Sequence, residues 1–306
     1  MSAIIIGHKN PDSDSIVAAI ACADLYAKRG LDVVAAAQGN PAPETAFILE
    51  RFGLKAPEVM TSVAGRDVYV VDYSDLAQAP DDFADCNLKG IVDHHKLGDM
   101  TSSSPVEAVI MPVGCTNTIL KRMYDYLGFT PSKEIAGAML CAILSDTVIF
   151  KSPTCTEADK KAAAELAAIA GINDIAALGM ELFTAKSAAK GVSARDLIMR
   201  DFKDFNMSGH KVGIGQLELV DIAILEDRIP ELVEELGKMK AEGRHTAILL
   251  LTDIMKEGSV LLMASDDPAK VAGAWGKILG EGNVWLEGVM SRKKQVVPNL
   301  EAAFKA

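Results

Sequence analysis

The chain is poor in aromatic residues, 5% of its length with only two tryptophans, so it lacks the stacking surfaces on which single-stranded nucleic acids are held. It also lacks a cationic excess. Asp and Glu number 42 against 31 Lys and Arg, a formal charge of −11, which works against a general affinity for polyanionic nucleic acid. Cys22, Cys86, Cys115, Cys141 and Cys155 are odd in number and form no CxxC pair. That excludes a disulfide framework and a thiolate zinc site, and points to reduced, mostly buried thiols. No apolar run approaches the roughly 18 residues needed to cross a bilayer, and the opening run AIIIG has no basic region or cleavage site beside it. The expectation is a soluble, cytoplasmic protein with neither nucleic-acid nor membrane partners.

What is present is apolar residue in quantity, 49% of 306 residues, enough for two cores. Short apolar runs (AIIIG, DVVAAA, DVYVVD, KGIVD, VEAVIMPV) alternate with helical stretches from Ser15 to Arg29 and near 43–53, 115–128 and 131–145. This is the rhythm of βαβ units and a doubly wound parallel sheet. Two Ala-rich helices, about 156–170 and 173–187, close this half. The reading is a first domain over 1–188, a linker over 189–193 and a smaller mixed-sheet α+β domain over 194–306. In the second half FKDFNMSGHKVGIGQLELV alternates like strands around a Ser208-Gly209 turn, followed by a helix after Pro230, the runs TAILLLTD and SVLLMA, and a helix near 267–279.

Polar residues capable of holding metals gather at the ends of the first-half elements: His8, Asp12 and Asp14 in GHKNPDSDS, Asp72 in YVVD, His94 and His95 in IVDHH, and Asp146 in AILSD. Each also has a local reading. Asp14 or Ser15 would cap a helix, Asp12 would form an Asx-turn, and Asp72 would end a strand in a turn. The Asp93-His94-His95 triplet is less ordinary, because it spends two of only five histidines side by side. Asp146 closes an apolar helix, where the macrodipole disfavours an acid. If the four acids Asp12, Asp14, Asp72 and Asp146 converge, each close pair repels by about 4 kcal/mol at 4 Å and an effective dielectric near 20. Two divalent cations would offset that charge, and imidazole ligands favour a transition ion such as manganese or cobalt over magnesium. At the other end, Ser291-Arg292-Lys293-Lys294 sets three cations in an acidic chain. It reads either as a solvated turn or, with Lys203, as a clamp for a polyanion.

The motifs GHKNPDSDS, VVDYSD, VDHH, LSDT and SRKKQVVP resemble the successive motifs of the family II, manganese-dependent inorganic pyrophosphatases of the DHH phosphoesterase superfamily. The resemblance spans nearly the whole chain. It implies one metal on His8, Asp12, Asp72 and Asp146 and another on Asp14, Asp72, His94 and Asp146, with Asp72 and Asp146 shared. It makes His95 a substrate-facing histidine, Asp93 an acid that steadies the site, Lys203, Arg292 and Lys293 pyrophosphate-binding cations, and Asn10 and Ser291 substrate neighbours. It further implies two Mn2+ per subunit, replaceable by Co2+, with Mg2+ arriving on pyrophosphate, an active site in the interdomain cleft, and a homodimer through the N-terminal domains. The expected reaction is hydrolysis of pyrophosphate by a water bridging the metals. Two alternatives stay open at this stage: a related phosphoesterase acting on short oligonucleotides or polyphosphate, and a non-catalytic metal or phosphate sensor on the same scaffold.

Overall fold

The computed structural model describes residues 1–187, 191–276 and 284–305. The chain gathers into two compact units, one of Met1–Phe150 with Thr154–Leu182 and one of Lys151–Pro153 with Phe183–Ala306. Of the linker expected over 189–193, residues 189 and 190 lie outside the described residues.

In the first unit six strands, β1 (Ala3–Ile6), β2 (Val33–Ala37), β3 (Glu58–Val59), β4 (Asp67–Val71), β5 (Asn87–Asp93) and β6 (Glu107–Ile110), form a parallel sheet in the order β3-β2-β1-β4-β5-β6. This is the doubly wound sheet that the βαβ rhythm foretold. Its order reverses between β1 and β4, and such a switch point opens a crevice beyond the carboxyl ends of the two strands. Alternation along β1 divides the core: Ile4 and Ile6 pack with Val68, Val70 and Tyr73 on one face, and Ile5 packs with Val71, Val92 and the helices on the other.

The helices are α1 (Ser13–Lys28), α2 (Pro43–Arg51), α3 (Thr116–Tyr126), α4 (Lys133–Asp146), α5 (Glu157–Ala170) and α6 (Ile175–Lys186). α1 begins two residues before the Ser15 start read from sequence, because Asp12 is its cap and accepts the Ser15 N–H at 2.9 Å. α4 is apolar on every side and buried throughout Ile135–Ser145. It is therefore a core helix whose last residue, Asp146, emerges beyond the apolar interior.

The second unit holds β7 (Phe202–Met207), β8 (His210–Leu219), β9 (Thr246–Asp253), β10 (Gly258–Ser265) and β11 (Val284–Glu287) in the order β11-β10-β9-β8-β7. β8 and β9 are parallel and the other neighbours antiparallel, which makes the sheet mixed. Ser208 and Gly209 both take positive φ, 51° and 88°, as a tight hairpin turn between β7 and β8 requires. β9 is buried along its whole length, with Leu249 and Leu251 in one cluster and Ile248 and Leu250 in the other. Helices α7 (Ala194–Met199), α8 (Ile229–Ala241), α9 (Pro268–Gly273) and α10 (Val297–Lys305) cover the sheet. The helix expected over 267–279 is the shorter α9, and residues 277–279 lie outside the described residues. Among the described residues, no single helix is long and apolar enough to cross a membrane.

Candidate metal centre

Gly7 ends β1 against α1, where a Cβ would collide with the Ser15 hydroxyl. This close approach turns the next residue, His8, toward the switch point. Its Nδ1 lies 2.7 Å from the Lys9 carbonyl. A carbonyl only accepts, so Nδ1 carries the hydrogen and Nε2 is left to face Asp12 Oδ2 at 3.3 Å and Asp72 Oδ2 at 3.4 Å. Asp12 thus serves as both helix cap and site residue, through different oxygens.

Asp72 follows β4 and is buried. Its second oxygen, Oδ1, lies 3.4 Å from His94 Nε2 and accepts the Thr116 hydroxyl at 3.0 Å. His94 repeats the His8 arrangement, with Nδ1 donating to the Val113 carbonyl at 3.0 Å. Its Nε2 stands 4.0 Å from both Asp14 Oδ2 and Asp146 Oδ2. The two oxygens of Asp72 therefore address two different imidazoles.

The donor set fits divalent cations. Ligand atoms about 2.1 Å from an ion sit about 3.0 Å apart at right angles and about 3.4 Å apart tetrahedrally, close to the 3.3 and 3.4 Å separations of His8 from Asp12 and Asp72 and of His94 from Asp72, while Asp14 and Asp146 stand wider from His94, at 4.0 Å. The electrostatics agree. Burial first, then the charges of Asp14 and Asp12, push the Asp72 carboxyl well above the usual carboxylate range. Asp146 is pushed up likewise by burial and by Asp14, Asp12 and Asp72. Burial opposes charge on the His8 ring, but Asp12 and Asp72 outweigh it and hold the ring above the usual imidazole range. Without cations, protons offset the crowding of acids; cations with the same carboxylates would displace them.

Left-handed backbone gathers at the same place. Asn10 and Asp72 take positive φ, 52° and 67°, and Val148, Ile149 and Phe150 follow α4 at 50°, 50° and 66°. Asn and Asp enter this region readily, whereas left-handed backbone costs about 1–2 kcal/mol for residues such as Val148, Ile149 and Phe150, and it persists where surrounding structure over-determines it. The left-handed positions adjoin His8, Asp12 and Asp146, or are themselves Asp72.

His95 stands at the rim, its side chain 26% exposed, with Nδ1 2.9 Å from Asp93 Oδ1, which also accepts the His95 amide at 3.0 Å. Burial works against charge on Asp93, but the His95 ring and amide outweigh it and hold the carboxyl below its usual range. Asp93 thereby fixes the ring orientation and leaves Nε2 as the nitrogen turned away from it.

The other expected residues belong to the second unit. Lys203 lies on β7 opposite Ile214. Arg292 donates to the Asp201 carboxylate at 2.6 Å, to its carbonyl at 2.7 Å and to the Ile214 carbonyl at 3.2 Å, so its guanidinium is already engaged. Ser291 is buried and caps the short π-helix Arg292–Val296, accepting the Lys294 N–H, and Lys293 lies in that helix. The structure therefore brings His8, Asp12, Asp14, Asp72, Asp93, His94, His95 and Asp146 together in one unit, and places Lys203, Ser291, Arg292 and Lys293 in the other.

Sequence reasoning overlooked the start of α3, its cap Cys115 and first turn. The thiol of Cys115 donates to Asp14 Oδ1 at 2.9 Å, the Asn117 amide to the same oxygen at 2.6 Å, and the Thr116 N–H to Asp14 Oδ2 at 2.7 Å. The sequence signal was GCTNT, a run of small polar residues opening a helix, which reads as ordinary N-terminal chemistry.

Two family models match the chain: the DHH family N-terminal domain over residues 2–143 and the DHHA2 domain over residues 180–303. A probable manganese-dependent inorganic pyrophosphatase of Archaeoglobus fulgidus is 50% identical, covering 98% of this chain and 97% of that relative. A manganese-dependent inorganic pyrophosphatase of Methanothrix thermoacetophila is 42% identical, covering 98% of each. The crystal structure of a putative family II inorganic pyrophosphatase of Methanococcus jannaschii superposes with a TM-score of 0.86 at 41% identity over the whole of both chains.

Proposed function

We propose, since the chain belongs to the family of manganese-dependent inorganic pyrophosphatases, that it hydrolyses inorganic pyrophosphate to two orthophosphates. The observation that carries this reading is Asp72, one buried carboxylate with an oxygen toward each of two imidazoles, His8 and His94. In this reading His8, Asp12, Asp72 and Asp146 hold one ion, and Asp14, Asp72, His94 and Asp146 hold the other. Two Mn2+ per chain, replaceable by Co2+, would supply Lewis acidity there and lower the pKa of a bound water toward neutrality.

The remaining groups bind and orient. His95, set by Asp93, donates through Nε2 to the departing phosphate, whose charge Lys203, Arg292 and Lys293 offset. Arg292 exchanges its Asp201 contact for phosphate oxygens, a swap between two anionic partners of one planar fork. Asn10 and Ser291 border the substrate, which arrives with Mg2+. The reading extends to a homodimer built through the first unit, a cytoplasmic location, and no nucleic-acid or membrane partner.

The test compares phosphate release from pyrophosphate, tripolyphosphate and a dinucleotide at equal concentration with Mn2+ present. Pyrophosphate should be turned over fastest. Preferential cleavage of the dinucleotide or the tripolyphosphate would make the protein a different phosphoesterase, and binding without any turnover would make it a sensor.

A further inference from the structure

Asp159 lies outside every motif singled out in the sequence, yet it is completely buried and its carboxylate is surrounded by donors. It sits in the first turn of α5, where it forms a reciprocal cap with Thr156: the Thr156 N–H and hydroxyl donate to Oδ2 at 2.7 and 2.6 Å. Capping alone needs nothing more. The same carboxylate, however, reaches a distant segment, accepting the Gly114 N–H on Oδ2 at 2.9 Å and the Thr118 hydroxyl on Oδ1 at 2.6 Å.

Those two donors flank Cys115, Thr116 and Asn117, and Val113 directly precedes Gly114; these four residues touch the metal-site side chains. Val113 accepts from His94, Cys115 and Asn117 donate to Asp14, and Thr116 donates to Asp14 through its N–H and to Asp72 through its hydroxyl. Gly114 is pressed into place, since a Cβ there would stand 2.8 Å from Thr147 Cγ2 and 2.9 Å from Asp159 Oδ2. The segment 113–117 thus sets three of the metal-site side chains at once, and Asp159 holds it at Gly114 within the segment and at Thr118 immediately after it.

We propose that Asp159 is a positioning residue for the ion held by Asp14 and His94, acting through the 113–117 segment rather than by contact with metal or substrate. The inference rests on the two-ion reading above. It differs from a plain capping role because Thr156 shares the cap but not the grip.

The test is Mn2+ binding by the full-length, metal-stripped protein, with free ion followed by electron paramagnetic resonance and unfolding followed by melting temperature. Asp159→Asn and Thr118→Val should each weaken the site of Asp14 and His94 by about 10- to 100-fold, the range for groups that orient metal ligands, and weaken the other site, which shares Asp72, by less. Thr156→Val, which weakens only the cap, should lower the melting temperature and leave both affinities at the parental level. Cobalt-loaded Asp159→Asn should show displaced visible absorption bands where Thr156→Val does not. If Asp159→Asn does not fold, Thr118→Val decides alone. Parental affinities in Thr118→Val, or an equal loss in Thr156→Val, would reduce Asp159 to a helix cap. Failure of the parent itself to bind manganese would instead overturn the underlying reading.

Discussion

Asp72→Asn is expected to lower pyrophosphate turnover by about 10³-fold or more, because it removes a buried carboxylate that faces both imidazoles. An amide keeps the shape of the side chain but presents N–H where a ligand oxygen stood. It also removes a charge that the site needs to hold two cations. Stability should move the other way. In metal-free protein Asp72 is buried among Asp14 and Asp12, and these push its carboxyl up, so a neutral amide relieves repulsion at no cost in volume. Initial rates of phosphate release, set beside the melting temperature of the stripped variant, check both halves. Turnover within tenfold of the parent would remove Asp72 from the shared position.

Adding manganese to stripped protein should raise its melting temperature by roughly 10 °C or more. Each site filled at a hundred times its dissociation constant adds about 2.7 kcal/mol, and for a folding unit the size of the first one, Met1–Phe150 with Thr154–Leu182, about 1 kcal/mol corresponds to 2–4 °C. The physical source is the acid cluster: burial and mutual repulsion raise Asp72 and Asp146, and divalent ions convert that repulsion into attraction. Asp72→Asn should forfeit most of the increment. Calorimetry with chelator and then with Mn2+ measures it, and an unchanged melting temperature in the parent would contradict ion binding at this cluster.

Much of this was legible in the sequence because strand-end acids and histidines have few other reasons to accumulate. The β-branched runs placed β1, β4 and β5, and residues that end a strand sit at the same edge of a parallel sheet. Asp12 was readable in two ways, as turn or ligand, and the structure uses two oxygens for two roles, the first as helix cap and the second facing His8. Long-range support was not legible. Asp159 looks like an ordinary first-turn acid of an Ala-rich helix, since its partners Gly114 and Thr118 are some forty residues away. Cys115, Thr116 and Asn117 look like a generic helix start. Nor do local preferences place Val148 and Ile149 in left-handed backbone, which β-branched residues avoid; tertiary packing after α4 imposes it. The engagement of Arg292 with Asp201 was hidden for the same reason, as a basic run shows its charge but not its partner.

Turnover of pyrophosphate during titration of the metal-stripped protein with Mn2+ tests the central claim most directly. Activity should be absent at the start, rise with added ion and level off near two ions bound per chain. Steady turnover in the stripped protein, or a plateau reached with no ion bound, would contradict a two-ion hydrolytic centre built on Asp72.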